Sequence, residues 1–81
     1  MKRDLAKRIA TDPKVMLGKP AIRGTRVAVE LILEKLAADI PIEEILRDYP
    51  QLTRTDVLAA VAYAREVLAT DEMIPRVATR A

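Results

Sequence analysis

The chain has 81 residues, of which 51% are hydrophobic and 32% charged, and its formal net charge is +2. This is the size of one small domain. Cys, His and Ser are all missing, which excludes disulfides, thiolate chemistry, the usual general base and the common nucleophilic triads. The remaining carboxylate pairs, such as Glu30 and Glu34, follow helix faces and are expected at solvated surfaces. We therefore expect a protein that is not an enzyme, with no catalytic residue, metal site or cofactor.

Two features bear on where the protein works. No apolar run approaches the ~18 residues of a membrane span. The basic start of the chain is not followed by the apolar stretch of a signal peptide. We expect a cytoplasmic protein without membrane association.

The charges are divided unevenly along the chain. Residues 1–26 hold eight basic and two acidic residues, a net charge of +6, whereas residues 27–81 hold six basic and ten acidic residues, a net charge of −4. Such a split indicates a basic arm that faces a polyanion and projects from a separate body. The alternative is that the arm folds back and pairs with the acidic helices. The sequence leaves both open.

The first third of the chain gives short, broken signals. Residues 1–10 are compatible with a turn of helix or a strand, and a turn follows at Asp12-Pro13, because proline disfavours helical backbone in the residue before it. Residues 14–27 predict two short extended pieces with turns at Gly18 and Gly24. We expect both glycines to need a positive φ or a close approach of the backbone.

From Val29 onward the apolar period becomes helical. One helix is predicted at about 28–38, and a second one begins at Pro41 and closes at Tyr49-Pro50. The third and longest helix is predicted at 54–69. Its buried stripe is expected to consist of Val57, Ala60, Val61, Ala64 and Leu68.

The third helix has a recognisable start. Thr53 is predicted to cap it, with Asp56 as the shorter relative of the Glu or Gln of a capping box. Leu52 and Val57 are placed to form a hydrophobic staple across the cap.

The expected fold is mainly α: short N-terminal β-strands or a hairpin, followed by a three-helix, helix-turn-helix-like (homeodomain-like) body. Residues 1–69 are expected to form a single domain, with a basic extended arm at 1–27 and the helical body at 28–69. Residues 70–81 are expected to be a flexible tail.

A helix-turn-helix outline suggests DNA. The candidate contacts lie in the arm and around the start of the third helix: Lys19, Arg23, Arg26, Gln51, Arg54 and Thr55. The alternative for Arg23 and Arg26 is pairing with a glutamate, inside the fold or across a dimer: Glu30, Glu34 or Glu44. The face of the third helix that we expect to be exposed is poor in side chains that read bases and favours packing against another protein: Ala59, Ala62 and Ala69.

Protein partners are suggested by two other features. The short strand region could pair edge to edge with a second copy, which would enlarge a thin core. The tail, with Met73, Ile74 and Val77 among charges, could become ordered on a partner. A tail without such a role is the simpler alternative.

Two runs in the chain resemble a known family. These are Gly18-Lys19-Pro20-x-Ile22-Arg23-Gly24-Thr25-Arg26 and, later, Tyr49-Pro50-x-Leu52-Thr53. In this order they are similar to the domain-of-unknown-function family four-three-three, over roughly residues 9–66. The chain departs from the family pattern at Asp39-Ile40-Pro41, where a Gly-x-Ser-like junction is usual, so we expect a different shape for the first inter-helix turn.

The resemblance implies a function. Many members are considered VapB-type antitoxins, encoded beside a toxin with a PIN-like nuclease fold. The implied role is an antitoxin of a type II toxin-antitoxin pair that blocks this nuclease and, as a homodimer, binds operator DNA. Basic residues would cover the acidic, metal-binding cleft of the nuclease, and the candidates are Arg23, Arg26, Arg76 and Arg80. The alternative is a stand-alone DNA-binding transcriptional regulator.

Overall fold

The computed structural model describes residues 3–70, in which a short two-stranded sheet precedes a body of three helices. The protein is mainly helical, as predicted. Its elements, in chain order, are α1 (Arg3–Ala6), β1 (Ile9–Ala10), a 3-10 turn (Met16–Gly18), β2 (Ala21–Ile22), α2 (Val29–Ala37), α3 (Ile42–Asp48) and α4 (Arg54–Thr70). Residues 71–81, to which most of the predicted tail belongs, lie outside the described residues.

The strand region differs in part from the structure that the sequence predicts. β1 and β2 pair antiparallel, with Ile9 opposite Ile22 and Ala10 opposite Ala21. Of the two extended pieces predicted within 14–27, only the second is right, because residues 16–18 form a 3-10 turn instead. Hydrogen bonds within the loop, from the Val15 N–H to the Asp12 carbonyl (2.8 Å) and from the Gly18 N–H to the Val15 carbonyl (3.0 Å), keep this segment from pairing as a strand.

Both glycines have the backbone conformation that the sequence predicts. φ is +83° at Gly18 and +82° at Gly24, a region that residues with a side chain rarely adopt. Gly24 forms the turn that follows β2. Thr25 closes this turn, since its hydroxyl donates to the Ile22 carbonyl (2.8 Å) and accepts from the Val27 N–H (3.0 Å).

The start of α4 is held as predicted. The Asp56 N–H donates to the Thr53 hydroxyl (3.2 Å), and the Thr53 N–H donates to Oδ2 of Asp56 (2.9 Å), which is a capping box built with Asp. Leu52 and Val57, the predicted staple, are both buried. α3 and α4 are therefore joined by a short, well-defined turn.

The core is aliphatic, and it is centred on Ile32, Ile45 and Val57, which are nearly inaccessible to solvent. On α4 the predicted buried stripe is partly wrong. Ala59 is fully buried, whereas Val61 is 42% and Leu68 60% exposed. The reason is that α4 packs against α1 and β1 as well as α2 and α3, so the buried arc of α4 turns toward Ala59.

No helix among residues 3–70 combines the length and the apolar character that a membrane span needs.

Candidate anion-binding groove

A groove of about 570 Å³ opens beside the two strands. Residues between β1 and the turn after β2 form it, so it belongs entirely to the basic first third of the chain. Its lining combines small apolar side chains with three cations, and consists of Ala10, Asp12, Val15, Lys19, Ala21, Ile22, Arg23, Gly24, Thr25 and Arg26. Most of the Gly-Lys-Pro-x-Ile-Arg-Gly-Thr-Arg run therefore lines one concave surface, from which Gly18 and Pro20 are absent.

Arg23 is fixed in this groove by hydrogen bonds to the backbone. Its Nε donates to the Lys7 carbonyl (2.6 Å) and its Nη2 donates to the Ile9 carbonyl (3.1 Å). Its backbone N–H donates to the Arg8 carbonyl (2.7 Å). The planar guanidinium fork suits such paired acceptors. The positive charge of Arg23 is thus held against the segment before β1, in a fixed position on the groove wall.

Arg26 differs from Arg23. It is exposed, and among residues 3–70 its side chain has neither a hydrogen bond nor an ion pair. Within residues 3–70, neither Arg23 nor Arg26 pairs with Glu30, Glu34 or Glu44. Pairing of these residues across a dimer stays a prediction. Arg23 binds carbonyl oxygens instead of a carboxylate, and the guanidinium of Arg26 can turn toward a ligand.

Lys19 is the third cation. Its Nζ lies 3.4 Å from Oε1 of Glu30, and both side chains are largely exposed to solvent. An ion pair of this kind contributes little, typically below about 1 kcal/mol. Lys19 is therefore readily available to an incoming anion.

The turn around Gly24 adds donors of its own. A side chain at Gly24 would meet nothing within 4 Å, so the space above this turn is open. In the described part of the chain, the backbone N–H groups of Gly24 and Arg26 donate to no protein acceptor. The single acidic lining residue is Asp12, whose Oδ1 accepts the Lys14 N–H (2.9 Å). Three cations against one carboxylate, with free N–H donors, favour an anionic ligand.

The other predicted site residues that the structure describes are separate from this groove. Gln51 lies in the turn between α3 and α4, and Arg54 and Thr55 begin α4. None of these three lines the groove. Arg76 and Arg80 lie outside the described residues. The structure thus brings Lys19, Arg23 and Arg26 together, and the three described candidates around the start of α4 lie apart from them.

One contact that supports the groove was not predicted from the sequence. Nη1 of Arg8 donates to Oδ1 of Asp56 at 2.9 Å, and the Asp56 side chain is 9% exposed. This ion pair ties the segment before β1, which holds Arg23, to the start of α4. The idea that the basic first third folds back onto the helical body is therefore right for Arg8 and Lys19.

No group of three or more acidic residues within the described part of the chain could hold a metal ion. The family model described as a protein of unknown function (DUF433) matches residues 9–64. The chain belongs to this family. The matched residues include the lining of the groove, the capping box of Thr53 and Asp56, and most of α4. Neither the comparison with curated proteins nor that with solved structures gave a match.

Proposed function

We propose that this DUF433 protein is the antitoxin of a type II toxin-antitoxin pair, and that it binds and inhibits a PIN-like nuclease. It acts as a homodimer in the cytoplasm and has no catalytic role of its own. The observation that carries the proposal is the groove, in which Arg23 is held by two backbone carbonyls beside an exposed Arg26 that has no partner among residues 3–70. A nuclease that binds catalytic metal ions exposes a cleft of carboxylates, which is the complementary surface.

The two arginines have different tasks in this mechanism. Arg23 is bound to the Lys7 and Ile9 carbonyls and cannot extend from the wall, so it provides a fixed positive field. Arg26 is exposed and reaches outward to the carboxylates of the partner. A bidentate arginine–carboxylate contact is strong and geometrically specific. The bound antitoxin thereby covers the cleft, and Arg26 engages carboxylates that would otherwise bind the catalytic metal ions of the nuclease.

The experiment is co-expression of the chain with the adjacent reading frame, followed by co-purification and a growth assay. We expect the neighbour to be toxic alone and harmless in a stable complex. The Arg26→Glu variant is expected to lose co-purification, because it places a carboxylate against carboxylates. Arg47→Glu is the matched control, since Arg47 is an exposed arginine on α3 and does not line the groove. A neighbour that is harmless alone, or an Arg26→Glu complex that forms unchanged, contradicts the proposal.

A second candidate function is a DNA-binding transcriptional regulator, either alone or together with the antitoxin role. The helix-turn-helix outline supports it, together with two exposed residues, Gln51 in the turn before α4 and Arg54 at the start of α4. The observed outer face of α4 weighs against base reading, because it presents Leu58, Val61 and Leu68 rather than polar groups. On this account DNA contacts are mainly to phosphates.

Duplex binding at several salt concentrations separates the two functions. A phosphate-binding surface predicts that log K falls linearly with log salt, and that losing Lys19 or Arg26 reduces the slope by about 1 each. No duplex binding at low salt, with toxin inhibition intact, leaves the antitoxin role alone.

A further inference from the structure

Leu17 is the most exposed large apolar residue in the described part of the chain. It is 92% exposed, whereas its neighbours Val15 and Met16 are half-buried. It belongs to the 3-10 turn (Met16–Gly18) in the loop between β1 and β2. A single exposed leucine is ordinary on a protein surface, so its exposure alone implies no function. The backbone that holds this leucine is not ordinary.

The backbone at Leu17 and at the residue before it is left-handed. φ is +52° at Met16 and +58° at Leu17, and Gly18 follows at +83°. Glycine adopts this region routinely and asparagine or aspartate occasionally, and then as single residues. Asp39, the other non-glycine residue of positive φ in the described part of the chain, is of the tolerated kind. Two consecutive apolar residues in this region are a strained conformation, which is typical of functional surfaces.

Two hydrogen bonds span the turn and keep it in this conformation. The Gly18 N–H donates to the Val15 carbonyl (3.0 Å), and the Lys19 N–H donates to the Met16 carbonyl (3.1 Å). The side chain of Leu17 takes no part in these bonds, and it does not belong to the hydrophobic core of the described residues. The fold therefore maintains a strained backbone that holds one apolar side chain in solvent.

The turn itself does not require leucine at position 17. Glycine would adopt the left-handed backbone without strain, and asparagine would adopt it with less strain than leucine. Either residue would also suit the exposure of the position better. Leucine therefore lowers the stability of the free chain, and such a loss of stability is a recurrent cost of function.

Leu17 lies at the rim of the anion-binding groove. Val15 and Lys19, each two residues away from it, both line the groove, and two residues of chain span at most about 7 Å. The groove also contains the exposed Arg26, whose side chain has no partner among residues 3–70. The chain thus presents an apolar side chain next to cations that are available to a ligand. The complementary partner has an apolar pocket bordered by carboxylates.

We propose that Leu17 is the apolar anchor of the toxin-binding surface, and that it enters an apolar pocket of the nuclease beside the carboxylates that Lys19 and Arg26 contact. This inference rests on the proposed function and names the residue that holds the partner in place. A few buried anchors carry most of the affinity of a protein interface, whereas charge mainly determines specificity and the rate of encounter. Because the turn holds Leu17 in place before binding, little conformational freedom is lost on association.

A membrane surface has related chemistry, since apolar and basic residues also attach proteins to anionic lipids. The structure favours a protein. One exposed leucine buries few CH₂ groups in a bilayer, and Val15 and Met16 beside it are half-buried. The cations line a concave groove, which fits the projecting side chains of a protein better than a flat layer of lipid headgroups.

Thermal unfolding of the chain alone, followed by circular dichroism, tests whether Leu17 is strained and unpacked. Leu17→Asn is expected to raise the melting temperature by about 4 °C, because asparagine tolerates the left-handed region and no packing is lost. Leu17→Met keeps the strain and is expected to unfold within about 1 °C of the unmodified chain. A lower melting temperature for Leu17→Asn would show that the leucine stabilises the free chain, and would overturn the proposal.

Calorimetric titration of the purified product of the adjacent reading frame tests the anchor. We expect a dissociation constant at least about 30-fold higher for Leu17→Asn, and within about threefold of the original for Leu17→Met, which keeps the apolar side chain. Leu58→Gln is the matched control, because Leu58 is an exposed leucine on α4 and does not line the groove. Unchanged affinity of Leu17→Asn, or an equal loss for Leu58→Gln, overturns the proposal.

The same variants separate this inference from the proposed function. Loss of the complex with Arg26→Glu but not with Leu17→Asn would overturn this inference only. A complex that depends on Leu17 but leaves the neighbour toxic would overturn the antitoxin role only, and failure of the unmodified chain to form a complex would overturn both. Co-sedimentation of the unmodified chain, but not of Leu17→Asn, with vesicles of phosphatidylcholine and phosphatidylserine would assign Leu17 to a membrane surface and contradict the proposal.

Discussion

Arg8 and Asp56 are 48 positions apart in the chain, and Nη1 of the first lies 2.9 Å from Oδ1 of the second. The same carboxylate accepts the Thr53 N–H through its other oxygen. One buried side chain therefore caps α4 and anchors the segment that holds Arg23. The stability of the long helix and the geometry of the groove depend on a shared residue.

The first prediction concerns this residue. Asp56→Ala is expected to lower the free energy of unfolding by about 2 kcal/mol, because it removes the carboxylate that accepts both the Thr53 N–H and Arg8. Arg8→Ala is expected to cost only about 1 kcal/mol, since Arg8 is 40% exposed and water replaces part of the contact. Urea denaturation of both variants and the double variant measures this. Strictly additive losses would contradict a direct Arg8–Asp56 interaction.

The second prediction concerns the cap alone. Thr53→Ala removes the hydroxyl that accepts the Asp56 N–H and is expected to cost about 1 kcal/mol. Thr53→Ser keeps the hydroxyl and should remain within a few tenths of a kcal/mol of the unmodified chain. Thermal unfolding followed by circular dichroism compares them. Equal losses for both variants would mean that the methyl group, not the cap, matters.

The third prediction concerns the turn after β2. Gly24→Ala is expected to cost about 1 kcal/mol, because φ is +82° there although the space around it is open. Gly24→Asn should cost less, since Asn tolerates the left-handed region better. The loss is thus one of backbone conformation and not of steric contact. An alanine variant as stable as the original chain would contradict this reading of the turn.

The fourth prediction separates the two arginines of the groove. Arg23→Lys loses the bonds to the Lys7 and Ile9 carbonyls and is expected to lower the free energy of unfolding by about 1–2 kcal/mol. Arg26→Ala is expected to change it by less than about 0.5 kcal/mol, as exposed substitutions usually do. Denaturant unfolding of the two variants measures both changes in the free energy of unfolding. A large loss of stability at Arg26 would show that it, too, has a structural role.

Much of the fold could be predicted from the sequence because its signals are local. The helix periods, the capping box of Thr53 and Asp56, and the positive φ of both glycines depend on neighbouring residues only. The pairing of β1 with β2 could not be predicted, since two-residue strands carry no periodic signal and their partners lie 11–13 positions apart.

Part of the site could also be predicted from local sequence signals. Lys19, Arg23 and Arg26 are close in sequence and share one groove. What Arg23 binds could not be predicted, because its acceptors are backbone carbonyls, which have no signature in the sequence. The buried arc of α4 depends on α1 and β1 packing against it, a tertiary effect that moved Ala59 inward and Val61 outward.

The most direct test of the central claim is a nuclease assay of the purified neighbouring toxin, titrated with this chain or its variants. The account predicts stoichiometric inhibition by the unmodified chain and by Arg47→Glu. It also predicts an apparent inhibition constant at least about 100-fold higher for Arg26→Glu, because reversing the charge at an ion pair buried in an interface typically costs several kcal/mol. Full inhibition by Arg26→Glu, or no inhibition by the unmodified chain, would contradict the claim that this groove makes the protein an antitoxin.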